Sequence, residues 1–585
     1  MSVNDFPAFA VIADAHFHDM ESNYDGAATT LTSRKLTLRS WSDSRRSSRV
    51  FNESGRALRS SLEDIHSRGI RHVLLLGDYS DDGQIESTSR LVRLLREHQD
   101  NYGLVFYALP GNHDFYGPHG KHQSTRFSIS PQRDVLVTSD AEVAATEQDT
   151  AILTRKMYCE GAPAALLPMA EFGLTRQADY LHWETPFGQS DAPESRIYVA
   201  KSADGSVTHR LMDASYLVEP VAGLWLLMID ANVFEPRNGR TNPRQKKAFL
   251  DSSDAGWNAV LREKPFLMEW ITDVCSRARL LGKQVIACSH YPIADLFDDH
   301  SGSESRLFGN NENVRRKPTA KVAHALSAAG VSLHFGGHLH VNGTTRTTTE
   351  TGEITDVAVP SLVAFPPGYK IVRPVKNKAE IETVCLQSMP IDSWLMDVYR
   401  AEVSATDHRM DPALEAISYG DFLYARMRSR VTHHYLPREW PAEIAGEIVN
   451  RNAADLAYLL LSQQTETAMT GLCKTLDSVP TPLSAKLASI VRKYNVTVAE
   501  LLSYSMASLI ADWYCLRHAG NTVCLFIAPG KLKILTLLSK EFGSLSPPEM
   551  NASATFYTVF FGIIENQVNT AQQKISMTET VFLPT

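Results

Sequence analysis

Four apolar runs in this chain, residues 9–13, 73–76, 285–288 and 331–335, each stop at a short polar stretch rich in metal-ligand side chains. The stretches are Asp14-Ala15-His16, Gly77-Asp78-Tyr79-Ser80-Asp81, Ser289-His290 and Gly337-His338-Leu339-His340. A fifth, Gly111-Asn112-His113-Asp114, follows the apolar residues 104–109 and a proline. Apolar runs of this length, bounded by turn residues, predict buried strands. Sheets of parallel or mixed type present polar groups at strand carboxyl ends, so five strands with ligand side chains in the same place imply one shared site.

The residue types define what that site could hold. Asp14 and His16 are one residue apart, so at an extended strand end both side chains leave on one face and can share an ion. Carboxylate with imidazole suits iron, manganese or zinc better than calcium. Asp78, at a strand end, can bridge two cations, one on each oxygen, about 3.5 to 4 Å apart as in two-metal hydrolases. Asn112 would add a neutral amide oxygen, which limits negative charge and leaves a metal the stronger Lewis acid. Taken alone, His290 reads as a partly buried structural histidine, and the His338/His340 pair is ambiguous. The ordered set overrides both readings, because seven donors would otherwise have to coincide by accident.

In this order the blocks resemble the calcineurin-like metallophosphoesterase superfamily, whose pattern reads D-x-H, G-D-x-x-D/N, G-N-H-D/E, a lone H and G-H-x-H. Gly77-Asp78-Tyr79-Ser80-Asp81-Asp82-Gly83 and Gly111-Asn112-His113-Asp114 are most similar to the bacterial branch that contains class III cyclic-nucleotide phosphodiesterases. Residues 215–230 and 360–369 are also family-like, and the resemblance runs over roughly residues 7–375. It implies an α/β fold, a layered β-sandwich flanked by helices, holding two transition-metal ions. By the family pattern, Asp14, His16, Asp78 and His340 bind the first ion, and Asp78, Asn112, His290 and His338 the second. His113 is then the general acid, Asp114 orients its imidazole, and Asp81 takes the position that fixes a histidine ligand. A metal-bridging hydroxide is the implied nucleophile.

A chain of 585 residues exceeds the ~250 to 300 at which single cores stop growing, so at least two domains are expected. Strand-like and helix-like segments alternate up to about residue 371, which places a catalytic domain at 1–385. Residues 115–196 break the alternation and read as a cap-like insertion or a peripheral subdomain. The loop at 235–264, rich in Asn, Arg and Pro, is expected at the mouth, and residues 380–385 as an edge strand. Residues 390–585 read as a mainly α-helical accessory domain, from periods such as Leu487, Ile490, Val498 and Leu501. Its apolar stripes would pack in a bundle or form a homodimer interface.

Hydrophobic content of 43% and charged content of 21% are those of a globular protein. A net charge of −8 disfavours nucleic acid as a partner. One basic segment, with Arg34, Arg39, Arg45, Arg46, Arg49, Arg56 and Arg59, reads either as a solvated face or as a rim attracting phosphate. Seven cysteines scattered singly argue for a reduced, cytoplasmic protein. No transmembrane segment is expected, since the longest run free of charge and histidine, 550–564, is shorter than the ~20 residues a bilayer needs. His18 reads as a solvent-facing loop residue, Asp82 as a helix cap, and His433 and His434 as surface residues.

These readings lead to a binuclear phosphodiesterase acting on a small phosphorylated substrate, with 3′,5′-cyclic nucleotides as candidates. A phosphomonoesterase, a pyrophosphate or lipid-linked phosphate hydrolase, and a non-catalytic binding module on the same fold are the alternatives.

Overall fold

In the computed structural model the described residues are 6–29, 34–147, 151–245, 247–297, 300–375, 378–405, 410–463, 481–545, 552–573 and 577–582. The chain begins with β1 (Phe9–Ile12) and the two-residue β2 (Leu38–Arg39), then β3 (His72–Leu76) and β4 (Val105–Leu109). A hairpin, β5 (Ser124–Ser130) and β6 (Arg133–Thr138), precedes β7 (Ile152–Leu153) and β8 (His182–Glu184). Next come β9 (Ile197–Lys201), β10 (Thr208–Met212), β11 (Tyr216–Val221), β12 (Leu224–Ile229) and β13 (Gln284–Ser289). The series closes with β14 (Leu333–Gly336), β15 (Gly343–Thr349), β16 (Gly352–Ala358), β17 (Gly368–Val375), β18 (Lys378–Cys385) and, far along the chain, β19 (Thr578–Phe582).

Two large sheets carry the site. One has the order β19-β18-β17-β1-β3-β4, the other β15-β16-β14-β13-β12-β11-β8. In the first, β1, β3 and β4 run parallel; in the second, β12, β13, β14 and β16 do. The helices Ser54–Ser67 and Ile85–Tyr102 make the parallel crossovers between β1, β3 and β4.

The inner faces of the two sheets share one core, in which Val11, Leu74, Leu76 and Leu109 meet Leu226, Met228, Ile286, Cys288 and Phe335. The outward residues of β12, Trp225, Leu227 and Ile229, are equally buried, in a second cluster with Trp270, Ile271 and Val274 of the helix Pro265–Leu281. A strand buried on both faces cannot alternate apolar with polar, which is why 224–229 and 285–288 read as continuous apolar runs. This is the expected layered sandwich with flanking helices.

The chain divides into two compact units: Met1–Asp295 with Arg316–Phe422 and Met577–Thr585, and Leu296–Arg315 with Leu423–Ser576. The boundary expected at 385–390 is therefore displaced. The helix Ser393–Ala405 stays with the first unit, where Tyr399 packs on Trp41 and Glu402 accepts from the Trp41 and Ser42 amides. β18, expected at an edge, is covered by β19 in antiparallel register, with Val581 in the core. Within 115–196, the hairpin β5–β6 lies in a small sheet of order β2-β5-β6-β7, whereas β8 belongs to the large second sheet. Within residues 141–159, Ala141–Thr146 is an α-helix and Arg155–Met157 a 3-10 turn, and most of the described part of 235–264 is loop until the helix Gly256–Glu263.

The second unit is helical and has its own core. Trp440, Trp513, Phe308, Phe556 and Phe560 form an aromatic cluster, with Leu483, Leu487, Leu535 and Leu538 also buried. An ion pair between Arg517 and Glu304, at 2.5 Å, is buried beside it. Of the residues that set the helical periods, Leu487 and Leu501 are buried within one copy, whereas Ile490 and Val498 are partly exposed. Among the described residues no helix is long and apolar enough to cross a membrane.

Candidate metal centre

Each polar stretch begins where its strand stops. Past β1 and β3 the backbone pairing continues, with the Asp14 amide donating to Gly77 O at 3.1 Å and that of His16 to Asp78 O at 2.8 Å. The chain then turns abruptly: Asp14, His16, Asp78, His338 and His340 have φ of 51°, 39°, 47°, 71° and 53°. Left-handed backbone at a non-glycine residue costs about 1 to 3 kcal/mol, and here five such residues cluster at one place. Glycines make room for the carboxylates. A Cβ on Gly337 would lie 2.4 Å from Asp14 Oδ2, and one on Gly111 would lie 2.2 Å from Asp78 Oδ1. The repeated Gly next to a ligand is thus a steric requirement.

The side chains gather into two groups. Asp14, His16 and His340 form one, and Asp78, His290 and His338 the other, each with donor atoms within 4.8 Å of one another. Asn112 joins the second, its Oδ1 3.1 Å from His290 Nε2. Asp78 links the groups through a single oxygen: Oδ2 is 3.3 Å from His290 Nε2 and 3.8 Å from His16 Nε2. Its Oδ1 accepts from the His113 amide at 2.8 Å. The expectation of one cation on each oxygen is corrected accordingly; only Oδ2 faces both groups.

The donor set fits cations. His16 Nε2 and His340 Nε2 lie 3.1 Å apart, and His16 Nδ1 is buried with no hydrogen-bond partner among the described residues. Burial holds His16 and His338 well below the ordinary histidine range, aided by Arg49 at His16 and by His290 and Arg316 at His338, so both imidazoles are neutral donors. At His290 burial is outweighed by the Asp78 carboxylate, which pushes it up to about 9. Burial would raise Asp78, yet His290, His113 and His16 hold it well below the carboxylate range. Buried carboxylates that draw protons onto neighbouring imidazoles call for positive charge. His290 Nδ1 meets Leu76 O at 2.9 Å, which keeps Nε2 free to ligate.

His113 flanks the groups, its ring 5.0 Å from that of His16 and edge-on to it. Its Nδ1 is 2.5 Å from Asp82 Oδ1, and Arg49 Nη2 is 3.3 Å from the same oxygen. Asp114, expected to orient this imidazole, does not do so. It accepts from the Gly111 amide at 2.8 Å, the Ser80 amide at 3.0 Å and Ser80 Oγ at 2.8 Å, lacing two motif loops together. Burial and the nearby Asp78 charge push its carboxyl up to about 7.

Asp82, read as a helix cap, is thus the carboxylate partner of His113, and the following helix has Gln84 as its N-cap with no side-chain cap. Asp81 accepts from Arg39 Nη1 at 3.1 Å and Arg49 Nη2 at 3.2 Å. Arg39 and Arg49 are therefore committed to carboxylates, which suits neither a solvated face nor a free basic rim. His18 is buried, not solvent-facing, with Nε2 3.0 Å from Thr37 O. His433 is exposed and His434 partly so. The residue sequence reasoning missed altogether is Ser253, from the loop before the helix Gly256–Glu263, which touches Asn112 and His338. No motif signalled it.

Residues 8–153 match the sequence profile of the calcineurin-like phosphoesterase family. A solved dimetal phosphatase from Danio rerio is similar at 12% identity and a TM-score of 0.27, with 64% of this chain and 95% of that chain covered. No curated protein matches the chain.

Proposed function

We propose, from the membership of residues 8–153 in the calcineurin-like phosphoesterase family, that this chain hydrolyses phosphodiesters with two bound transition-metal ions, 3′,5′-cyclic nucleotides being the candidate substrates. The observation that carries this reading is the pair of donor groups, Asp14–His16–His340 and Asp78–His290–His338, adjoining at Asp78 Oδ2. The preference for diesters rests on the likeness of residues 77–83 and 111–114 to the class III phosphodiesterase branch.

In this proposal Asp14, His16, Asp78 and His340 hold one ion, and Asp78, Asn112, His290 and His338 the other. Iron, manganese or zinc bound there would supply Lewis acidity to the phosphoryl oxygens and a lowered pKa for water. Asp78 Oδ1 holds the His113 amide, and so fixes the backbone from which the imidazole projects. With Nδ1 donating to Asp82, His113 presents Nε2 to the substrate and can deliver a proton from that atom to the departing alkoxide. Arg49 keeps Asp82 ionised, as the lowered Asp82 carboxyl reflects: burial alone would raise it. The ring orientation of His113 is thereby set.

Elemental analysis together with assays on bis-p-nitrophenyl phosphate, p-nitrophenyl phosphate and cyclic nucleotides tests the reading. Two transition metals per chain are expected, with hydrolysis abolished by chelation, restored by Mn2+, and fastest on diesters. Full activity after complete metal removal would overturn it. Monoester turnover well above diester turnover would replace the diesterase by a phosphomonoesterase.

A further inference from the structure

A single turn reaches two ligands that come from different motifs. Asn112 Nδ2 donates to Ser253 Oγ at 3.1 Å, and His338 Nε2 lies 2.9 Å from the Ser253 carbonyl oxygen. A carbonyl only accepts, so Nε2 carries the proton and the lone pair of His338 is left on Nδ1. The Asn112 nitrogen meets the hydroxyl while its Oδ1 faces His290 Nε2.

Ser253 sits in the three-residue 3-10 turn Ser252–Asp254, outside all five ligand-bearing stretches. The turn is itself held in place. Asp251 accepts from the Ser253 amide at 3.0 Å, the Tyr291 hydroxyl donates to Ser252 O at 2.7 Å, and Arg316 Nε is 3.4 Å from Asp254 Oδ1. Tyr291 is the neighbour of His290, so the turn and a third ligand are tied to one another.

We propose that Ser253 is a positioning residue for the second metal, its hydroxyl anchoring the amide of Asn112 and its carbonyl setting the tautomer of His338. This rests on the two-metal reading above. An amide rotated by half a turn offers its NH2 to a cation and ceases to be a ligand. The hydroxyl tethers the amide beside the site before an ion arrives, while His290 Nε2 faces its Oδ1. Asp14, His16 and His340 make no contact with the turn among those described, so the effect belongs to one ion only.

Native mass spectrometry of the full-length chain equilibrated over a series of Mn2+ concentrations counts the species with zero, one and two ions. For Ser253→Ala, which removes the hydroxyl and keeps the carbonyl, one of the two stepwise dissociation constants is expected to rise about 10- to 100-fold with the other unchanged. Ser253→Thr, which retains the hydroxyl, should restore the weakened step, and circular dichroism should not distinguish the three proteins. If the wild type never takes a second ion, the two-metal reading falls and this inference with it. Where the wild type takes two, unchanged affinities in Ser253→Ala would overturn the positioning role alone. Equal weakening of both steps would also overturn it, because that is general loosening and not control of one site.

Discussion

At the scale of the residue, the assignments to separate are those of the two carboxylates near His113, Asp82 and Asp114. His113→Ala should keep both metals and lose about 10² to 10⁴ in rate, the usual share of a positioned acid. The deficit should shrink on diesters whose leaving groups need no proton. Asp82→Asn should show the same dependence on leaving group at smaller amplitude, because the imidazole survives but its partner is neutral. Asp114→Ala should instead lower stability by roughly 1 to 3 kcal/mol, since buried amides of Gly111 and Ser80 lose their acceptor, and should show no leaving-group dependence. Steady-state rates on two diesters of unequal leaving-group basicity, with denaturation midpoints, decide between Asp82 and Asp114. The seven proposed ligand positions were legible because each lies within five residues of the end of an apolar run. The Asp82 partnership was not, since adjacency in sequence favoured Asp114, whose side chain turns back to its own loop, whereas Asp82 arrives from 31 residues upstream. Ser253 acts through a hydroxyl and a carbonyl that any loop could offer.

Elements are fastened to the frame by a few side chains that can be tested singly. β8, at one edge of the second sheet, carries Glu184, which accepts from Trp270 Nε1 at 3.0 Å and from both terminal nitrogens of Arg277 on the helix Pro265–Leu281. Burial would raise this carboxyl, but Arg277, Trp270 and His182 hold it below the ordinary glutamate range. A depressed acid stabilises the fold in its ionised form, fully so above the unfolded-state pKa, and the contribution is lost as pH falls through the folded one. Glu184→Gln should therefore lower the denaturation midpoint by an amount equivalent to roughly 2 kcal/mol near neutrality, with the gap to wild type closing in acid. Midpoints for both proteins at about pH 7 and about pH 3 check the sign, and a gap that widened in acid would contradict it. A strand buried on both faces, such as β13, announced itself in the sequence. β8 and β19 did not: three and five residues are too short for a period, and β19 follows a helix of 22 residues.

For the whole molecule, the decisive feature is the return of β19 to the first sheet after the helical unit has been traversed. Sequence pattern placed a domain border near residue 385 because helical periods begin there, but a border drawn by pattern cannot foresee a strand that comes back. A chain ending at residue 573 should keep the helical unit and all seven ligands yet lose the cover on β18 and the buried Val581. It is expected to melt earlier and to associate through the bared edge, which size-exclusion chromatography and thermal denaturation would register. An unchanged midpoint and a monodisperse peak would show that β19 is dispensable. The same strand sets a timetable for synthesis. About 190 residues separate Cys385 from Thr578, so at about 5 to 20 residues per second a nascent chain waits on the order of 10 to 40 s with its sheet open on one side. During that interval the edge is available to any passing strand, and a translation product stopped early never closes it. A chain that has not yet reached Thr578 therefore carries β18 as an open edge, able to pair with another strand.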